Sequence, residues 1–163
     1  MIINECVPEL IKLKSEGFIK SIGITGYPIE IQREIIEKSP TGTFDYSMTY
    51  SRLTLFDTSA SSLTSYCSTK NIKSINAAPL GMGLLTNNVQ EWHPAGEILR
   101  EKCRRAREYV KEKGMDMVRL ALGYALSRKE CGSVVMGMTE EVRYNGREKN
   151  ITRIARELSD RTL

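Results

Sequence analysis

Hydrophobic residues near the start of the chain follow first a helical spacing and then a strand spacing. Val7, Leu10 and Ile11 share one helical stripe, and Gly17 supplies a stop signal after it. The segment 21–26 is short, rich in β-branched residues and closed by glycine, which predicts a buried strand. The opening of the chain therefore predicts a helix followed by a strand.

A second helix is predicted directly after this strand. Pro28 stands where that helix would begin, because the fixed φ of proline suits a first turn. Ile31, Ile35 and Ile36 would form its apolar face, and the Ser-Pro pair at 39–40 would end it.

This unit of a strand followed by a helix then repeats along the chain. Further strands are predicted at 44–50, 73–78 and 133–138, and further helices at 60–70 and around 99–110, 118–125 and 151–158.

Strands and helices alternate along residues 1–163 with no linker rich in proline, glycine or serine, so a single domain is predicted. The strands are interpreted as continuous apolar runs, which favours parallel β-structure covered by helices. The first strand ends in Thr25-Gly26-Tyr27-Pro28 and lacks the G-x-G-x-x-G turn typical of a doubly wound sheet. A (β/α)8 barrel needs eight strands and roughly 250 residues, whereas four strands are predicted in these 163 residues. The expected fold class is therefore α/β, as part of a (β/α)8 (TIM) barrel.

Composition and charge narrow the possible functions. The chain is 40% hydrophobic and 27% charged, as globular proteins are. Its net charge is only +4, and the basic run at 100–113 is interleaved with glutamates, so no nucleic-acid partner is predicted. The four scattered cysteines and one histidine have no zinc-binding spacing, so no metal is expected. Because neither a signal peptide nor a bilayer-spanning run is visible, we expect a soluble, cytoplasmic protein with reduced cysteines and no membrane partner.

The ends of the predicted strands carry motifs that occur together in one known family. They are Gly23-Ile-Thr-Gly-Tyr27, Tyr50-Ser-Arg52, Asn76-Ala-Ala-Pro-Leu-Gly-Met-Gly83 and Val134-Val-Met-Gly-Met138, with Glu91-Trp-His-Pro94 after the third. In order and spacing this set resembles the aldo-keto reductase superfamily, and especially its L-galactose dehydrogenase-like branch. The resemblance implies that the chain contains barrel strands five to eight with their covering helices.

The same resemblance implies a function. The family members are oxidoreductases that transfer hydride between a nicotinamide cofactor, NADP or NAD, and a small-molecule carbonyl or alcohol substrate. Their catalytic tyrosine, lysine, aspartate and histidine belong to the first half of the barrel. No catalytic residue is therefore assigned in this chain, and His93 has no matching role. The chain is expected to be a truncated oxidoreductase that is inactive alone. The alternatives are a non-catalytic cofactor-binding or channel-associated interaction module, and a fragment without function.

Cofactor contacts are also implied by the resemblance. Thr25 and Gly26, with Thr49, match family residues that hold the nicotinamide carboxamide. Ala77 occupies the place where many members stack an aromatic ring on the nicotinamide, so stacking is lost or supplied elsewhere. The segments that contact the phosphates are matched by Ala78, Leu80, Gly81, Met82, Gly83, Gly137, Met138 and Asn145.

Within those segments, glycine has a physical reason to occur. Gly81 and Gly83 would let the backbone approach phosphate oxygens closely and aim its N–H groups at them. Arg143 would face a 2′-phosphate if one is present, which leaves NADP and NAD both open. Residues 146–163 no longer look like the family and are expected to form a divergent helical tail.

Three more side chains have alternative roles. Tyr50 and Arg52 either line a substrate pocket or lie on the surface, and Trp92 is either a loop anchor or a substrate clamp.

Half a barrel would also expose its strand edges and the apolar residues meant for the interior, which predicts self-association or a partner that supplies the missing half. Candidates for that interior are Ile22, Ile24, Ile75 and Val135, and the sequence leaves open which residue of each alternating pair points inward.

Overall fold

A computed structural model describes residues 1–137 of the chain, and Met138, Arg143, Asn145 and the segment 146–163 lie outside the described residues. A π-helical turn at Ile2–Cys6 precedes the first α-helix. The helices are α1 (Val7–Ser15), α2 (Ile29–Lys38), α3 (Ser61–Thr69), α4 (Glu97–Glu112) and α5 (Met117–Ser127). The strands are β1 (Gly23–Gly26), β2 (Tyr46–Tyr50), β3 (Lys73–Ala77) and β4 (Ser133–Val135).

The described strands form one sheet in the order β1-β2-β3-β4, and every neighbouring pair is parallel. This confirms the predicted alternation of parallel strands and helices. β4 is shorter than the predicted strand at 133–138, because it pairs with β3 only over Ile75–Ala77. Parallel pairing brings the carboxyl ends of all four strands to one edge of the sheet.

The two faces of the sheet differ, which corrects the interpretation of the strands as continuous apolar runs. Residues in register on parallel strands point to the same face. The helix face carries Ile24, Ser47 and Ser74 in one row and Gly26, Thr49 and Asn76 in the next. The open face carries Thr25, Met48 and Ile75 in one row and Tyr50, Ala77 and Val135 in the next.

A buried glutamine identifies the face that the helices cover. Gln32 of α2 donates from Nε2 to the Gly26 carbonyl oxygen at 2.6 Å, and its Oε1 accepts from Ser47 Oγ at 3.1 Å. Gln32 therefore takes the inner position that was predicted for Ile31, which is 52% exposed. The helical repeat explains the difference, since Ile29, Gln32 and Ile36 share one face and Ile31 does not.

The predicted barrel-interior residues separate between the two faces. Ile22 is buried in the cluster that packs against the helices, and Ile24 packs against the same cluster. Ile75 and Val135 lie on the open face instead. The structure thus decides the orientation that the sequence leaves open, and Ile22 and Ile24 point to the helix face.

Buried apolar residues form two separate clusters. The first joins α1, α2 and α3 to the helix face and includes Val7, Ile22, Leu53, Leu63 and Cys67. The second joins α4 and α5 to the loop that follows β3. Its members are Leu80, Leu84, Leu85, Cys103, Val110, Met117, Ala121 and Leu122. Asp116 begins α5 as predicted, because its Oδ1 accepts from the Arg119 N–H at 2.7 Å.

Candidate cofactor cleft

A cleft of about 900 Å³ lies at the carboxyl ends of β2, β3 and β4. Tyr50, Ala77 and Val135, one from each of these strand ends, contribute to its wall. Most of the rest of the wall comes from two loop segments, here called the glycine turn (residues 78–83) and the wall loop (residues 86–96), and Val118, Met136 and Gly137 complete it. Ligands of (β/α)8 barrels bind at this end of the strands, so the cleft is the candidate functional site.

The glycine turn has an unusual backbone. Ala78, Gly81, Met82 and Gly83 all have positive φ, at 55°, 58°, 55° and 95°. For the two non-glycine residues this conformation costs roughly 1–2 kcal/mol each. Strain of this kind persists where the surrounding contacts impose it, and it is frequent at ligand sites.

The N–H groups of the two glycines are used within the turn. Gly81 donates to the Ala78 carbonyl oxygen at 2.9 Å, and Gly83 donates to the Leu80 carbonyl oxygen at 3.2 Å. These two groups are therefore not free to bind a phosphate in this conformation, which corrects the reason given for the glycines. At Gly81 the reason is steric, because a Cβ atom there would lie 2.5 Å from the Phe56 ring.

The wall loop is held by polar side chains. His93, which is 8% exposed, places Nε2 at 2.9 Å from the Gly81 carbonyl oxygen, and its Nδ1 accepts from the Ala95 N–H at 3.0 Å. Arg100 of α4 donates to the carbonyl oxygens of Ala95 at 3.0 Å and Glu91 at 2.8 Å, and also to that of His93. Sequence reasoning gave His93 no role, because the contact with Gly81 exists only in the folded chain.

Trp92 and Tyr50 are the aromatic side chains of the cleft. Trp92 is 68% exposed, lines the cleft and stacks beside His93 with a centroid distance of 6.4 Å. Its exposed ring is thus accessible from the cleft while it also contacts its own loop. Tyr50 lies in register with Ala77 on the open face, and both line the cleft. Tyr50 is therefore placed beside Ala77, the position at which the resemblance implies a stacking aromatic ring in many family members.

Of its two alternatives, Arg52 takes the position outside the pocket, where it is half-buried. Its guanidinium lies 3.1 Å from Asp57 Oδ2 and stacks over the Tyr27 ring at 4.3 Å. Arg52 is not among the residues that line the cleft. Of the pair left open by the sequence, only Tyr50 reaches the candidate site.

The structure brings together only some of the residues predicted to contact a cofactor. Thr25 lies on the open face and donates to the Met48 carbonyl oxygen at 3.2 Å, and it is not part of the cleft wall. Gly26 and Thr49 lie on the helix face, where Thr49 is 2% exposed. Thr25 and Thr49 are thus on opposite sides of the sheet. The predicted residues that do line the cleft are Ala77, Ala78, Leu80, Met82, Gly83 and Gly137.

Other chemistry is limited within the described residues. Burial raises the pKa values of the Cys67 and Cys103 thiols, and it raises that of Cys131 to about 11, so these thiols are poor nucleophiles at neutral pH. Residues 1–137 contain no cluster of three or more histidine, cysteine or acidic side chains suited to a metal ion. No helix in this part of the chain is long and apolar enough to cross a bilayer.

The sequence is similar to known oxidoreductases. The model of the aldo/keto reductase family matches residues 3–161. L-galactose dehydrogenase of Arabidopsis thaliana is 40% identical over 139 residues, which cover 85% of this chain and 44% of that protein. D-arabinose 1-dehydrogenase of Saccharomyces cerevisiae is 32% identical over 146 residues, which cover 84% of this chain and 44% of that protein. The chain thus spans less than half the length of these curated relatives.

Solved structures share the fold. An aldo-keto reductase of Bacillus halodurans in its holo form superposes with a TM-score of 0.70 at 16% identity, over 97% of this chain and 55% of that one. The glycerol dehydrogenase of Gluconobacter oxydans gives a TM-score of 0.61 at 15% identity, over 98% of this chain and 54% of that one. Together with the four parallel strands, this confirms the predicted α/β class and partial (β/α)8 barrel.

Proposed function

Because this chain belongs to the aldo/keto reductase family, we propose that its cleft is the cofactor wall of an oxidoreductase that uses NADP or NAD. One observation carries the proposal. Six residues that were matched to cofactor contacts line a single cleft at the carboxyl ends of the strands. When bound, the nicotinamide would supply the hydride donor or acceptor, and the chain would contribute its binding and orientation.

The residues of the wall suit the two parts of a dinucleotide. Tyr50 and Trp92 offer aromatic surfaces against which a planar ring can stack. Asn87 and Asn88 offer amide groups for hydrogen bonds to ribose hydroxyls or phosphate oxygens. Since Ala77 has no ring, we propose that Tyr50, its neighbour in register, supplies the surface for the nicotinamide.

We also propose a polyhydroxylated aldehyde, or the corresponding alcohol, as the substrate class. Both curated relatives are named as dehydrogenases of aldose sugars, L-galactose and D-arabinose. The amide group of Gln90, which lies in the same cleft wall and is not assigned to the cofactor, offers a donor and an acceptor for hydroxyl groups of such a substrate. An apolar wall without such groups would favour an alkyl or aryl carbonyl instead.

Turnover by these residues alone is not expected. Hydride transfer to a carbonyl needs a proton donor held beside the reacting oxygen. The family residues that provide it match no position of this chain, which spans 44% of each curated relative. We therefore propose that residues 1–163 bind cofactor without measurable turnover.

Titration with NADPH and with NADH tests this proposal. Purified protein of known oligomeric state is titrated while nicotinamide fluorescence and the shift of the thermal transition are followed. The expected result is saturable binding, with the ratio of the two Kd values giving the cofactor preference. A folded sample that binds neither cofactor would overturn the proposal, and turnover of an aldose would overturn the expected inactivity.

The non-catalytic alternative is favoured by the open face of the sheet. Val135, 50% exposed, and Tyr50 lie there beside Ile75 and Met48, so an apolar surface is left in contact with solvent. We propose that this face mediates self-association or binds a chain that completes the barrel. Light scattering on a sizing column should show a dimer or larger species. A stable monomer at micromolar concentration would contradict this role.

A further inference from the structure

The only histidine of the chain connects the two walls of the cleft. His93 Nδ1 lies 3.0 Å from the backbone nitrogen of Ala95, a group that can only donate. Nδ1 must therefore accept, and it carries no proton. Nε2 lies 2.9 Å from the Gly81 carbonyl oxygen, which can only accept, so Nε2 must carry the proton. The two bonds together require the neutral imidazole with its proton on Nε2.

These two bonds have different roles. The bond from Ala95 is local, since it spans two residues and closes a turn within the wall loop. The bond to Gly81 spans twelve residues and joins the wall loop to the glycine turn. Met82 and Gly83 line the cleft on the glycine turn, and Gln90 and Trp92 line it on the wall loop. The bond from His93 to Gly81 therefore constrains the distance between these two segments.

Each of the two segments also has a contact that does not involve His93. The Arg100 guanidinium donates to carbonyl oxygens of the wall loop, so the loop remains attached to α4 without His93. The Phe56 ring limits how the glycine turn can move, because it occupies the space beside Gly81. Thr86, at the start of the wall loop, donates from its N–H and its hydroxyl to the Gly83 carbonyl oxygen, so the near ends of the two segments are already joined. What the imidazole adds is a link between the glycine turn and the far part of the wall loop.

We propose that His93 is a positioning residue that fixes the wall loop to the glycine turn and thereby sets the shape of the cleft for its ligand. The inference rests on the proposed function only in naming the ligand as a nicotinamide dinucleotide. The link itself is a property of the free protein. His93 matches no catalytic residue of the family, and the role proposed for it depends on its two hydrogen bonds.

Two amide substitutions separate the two bonds. In His93→Asn, the short side chain can still accept from the Ala95 N–H as an Asx turn does, but it cannot reach Gly81. In His93→Gln, the longer side chain can place an N–H donor near the former Nε2 position and restore the bond to Gly81. If the link to Gly81 positions the cleft, the two variants must differ.

The expected result is a loss of cofactor affinity in one variant only. His93→Asn should bind NADPH or NADH about tenfold more weakly, the effect of losing about 1.4 kcal/mol. His93→Gln should remain within roughly threefold of the unsubstituted chain, since a neutral hydrogen bond of similar reach is kept. Equal weakening of both variants, or no change in His93→Asn, would overturn the proposal.

Two further measurements do not depend on cofactor binding. Nitrogen NMR of the single imidazole should show a protonated Nε2 and an unprotonated Nδ1 at neutral pH, and the opposite tautomer would overturn the proposal. Hydrogen exchange of residues 80–86 should be faster in His93→Asn but not in His93→Gln. If the unsubstituted chain binds neither cofactor, the proposed function fails, and these two measurements still decide whether His93 positions the cleft.

Discussion

The helix layer and the cleft region of this protein are stabilised by different means. The helix layer, α1 to α3 against the helix face, is held by an apolar cluster that includes Leu53, Leu63 and Cys67. The cleft region has the smaller of the two apolar clusters. It also depends on a strained glycine turn and on two side chains, His93 and Arg100, that bond to carbonyl groups of the loops. Substitutions in the first region should therefore change folding, whereas those in the second should change ligand binding first.

The largest effect is expected in the helix layer. Leu63→Ala leaves a cavity in the first cluster and should lower the free energy of unfolding by about 2–5 kcal/mol. Denaturant unfolding measures the change. Leu13→Ala is the matched control, because Leu13 lies on the exposed side of α1 and should cost much less. Cofactor affinity of the folded fraction should stay the same in both, and a specific loss of binding in Leu63→Ala would erase the contrast between the regions.

A second substitution tests the strain in the glycine turn. Gly81→Ala should lower the free energy of unfolding by roughly 1–3 kcal/mol and weaken cofactor binding, since a methyl group meets the Phe56 ring at positive φ. Gly17→Ala is the control, because Gly17 also has positive φ but has open space around it. If the two variants lose the same stability and both bind normally, contact with Phe56 is not what requires glycine at position 81.

A third prediction concerns a buried hydroxyl on the helix face. Thr49 Oγ1 has no hydrogen-bond partner among the described residues, so Thr49→Val should be neutral or stabilise the fold by up to about 1 kcal/mol. Thr64→Val is the control, because Thr64 Oγ1 donates to the Ser61 carbonyl oxygen at 3.0 Å and its loss should destabilise. Thermal unfolding compares the two. Weaker cofactor binding in Thr49→Val would instead support the carboxamide contact that the sequence suggested.

The smallest effect is a pH dependence in the helix layer. The hydrogen bond from Lys14 Nζ at 2.6 Å, with that from the Ile22 N–H, lowers the pKa of Asp45. A lowered folded pKa means that the carboxylate stabilises the fold above its ordinary pKa of about 4. This contribution is lost as the pH falls through the lowered value. Thermal unfolding of Asp45→Asn should therefore depend less on pH below about 4 than that of the unsubstituted chain, and parallel curves would contradict the assignment.

Much of the fold could be predicted from the sequence because its signals are local. The stripe of Val7, Leu10 and Ile11 and the stop at Gly17 predicted α1, and the Asp116 cap predicted the start of α5. The ends of strands were not predicted as well, as the difference between the predicted strand at 133–138 and the observed β4 shows. β4 ends where its hydrogen-bonding partner ends, and the sequence of β4 alone contains no information on that length.

The candidate site could be predicted in part. The segment from Ala77 to Gly83 was identified by its resemblance to a family, and most of its residues line the cleft. Gly26 and Thr49 were matched in the same way but lie on the helix face. Successive residues of a strand alternate between the two faces, so neighbours in sequence such as Thr25 and Gly26 lie on opposite sides of the sheet. For Trp92 the sequence predicts two alternative roles, and the structure adds that its exposed side chain lines the cleft.

By itself, the sequence determined the order of the strands and helices within residues 1–137, the parallel α/β class and the family. Those features follow from spacings of a few residues and from motifs that stay in order along the chain. Only the tertiary structure decided that Gln32 replaces Ile31 in the core, that Tyr50 stands beside Ala77, and that His93 binds Gly81. Each of these depends on which distant segments meet in space, and hydrogen-bond direction and packing settle that only once the chain is folded.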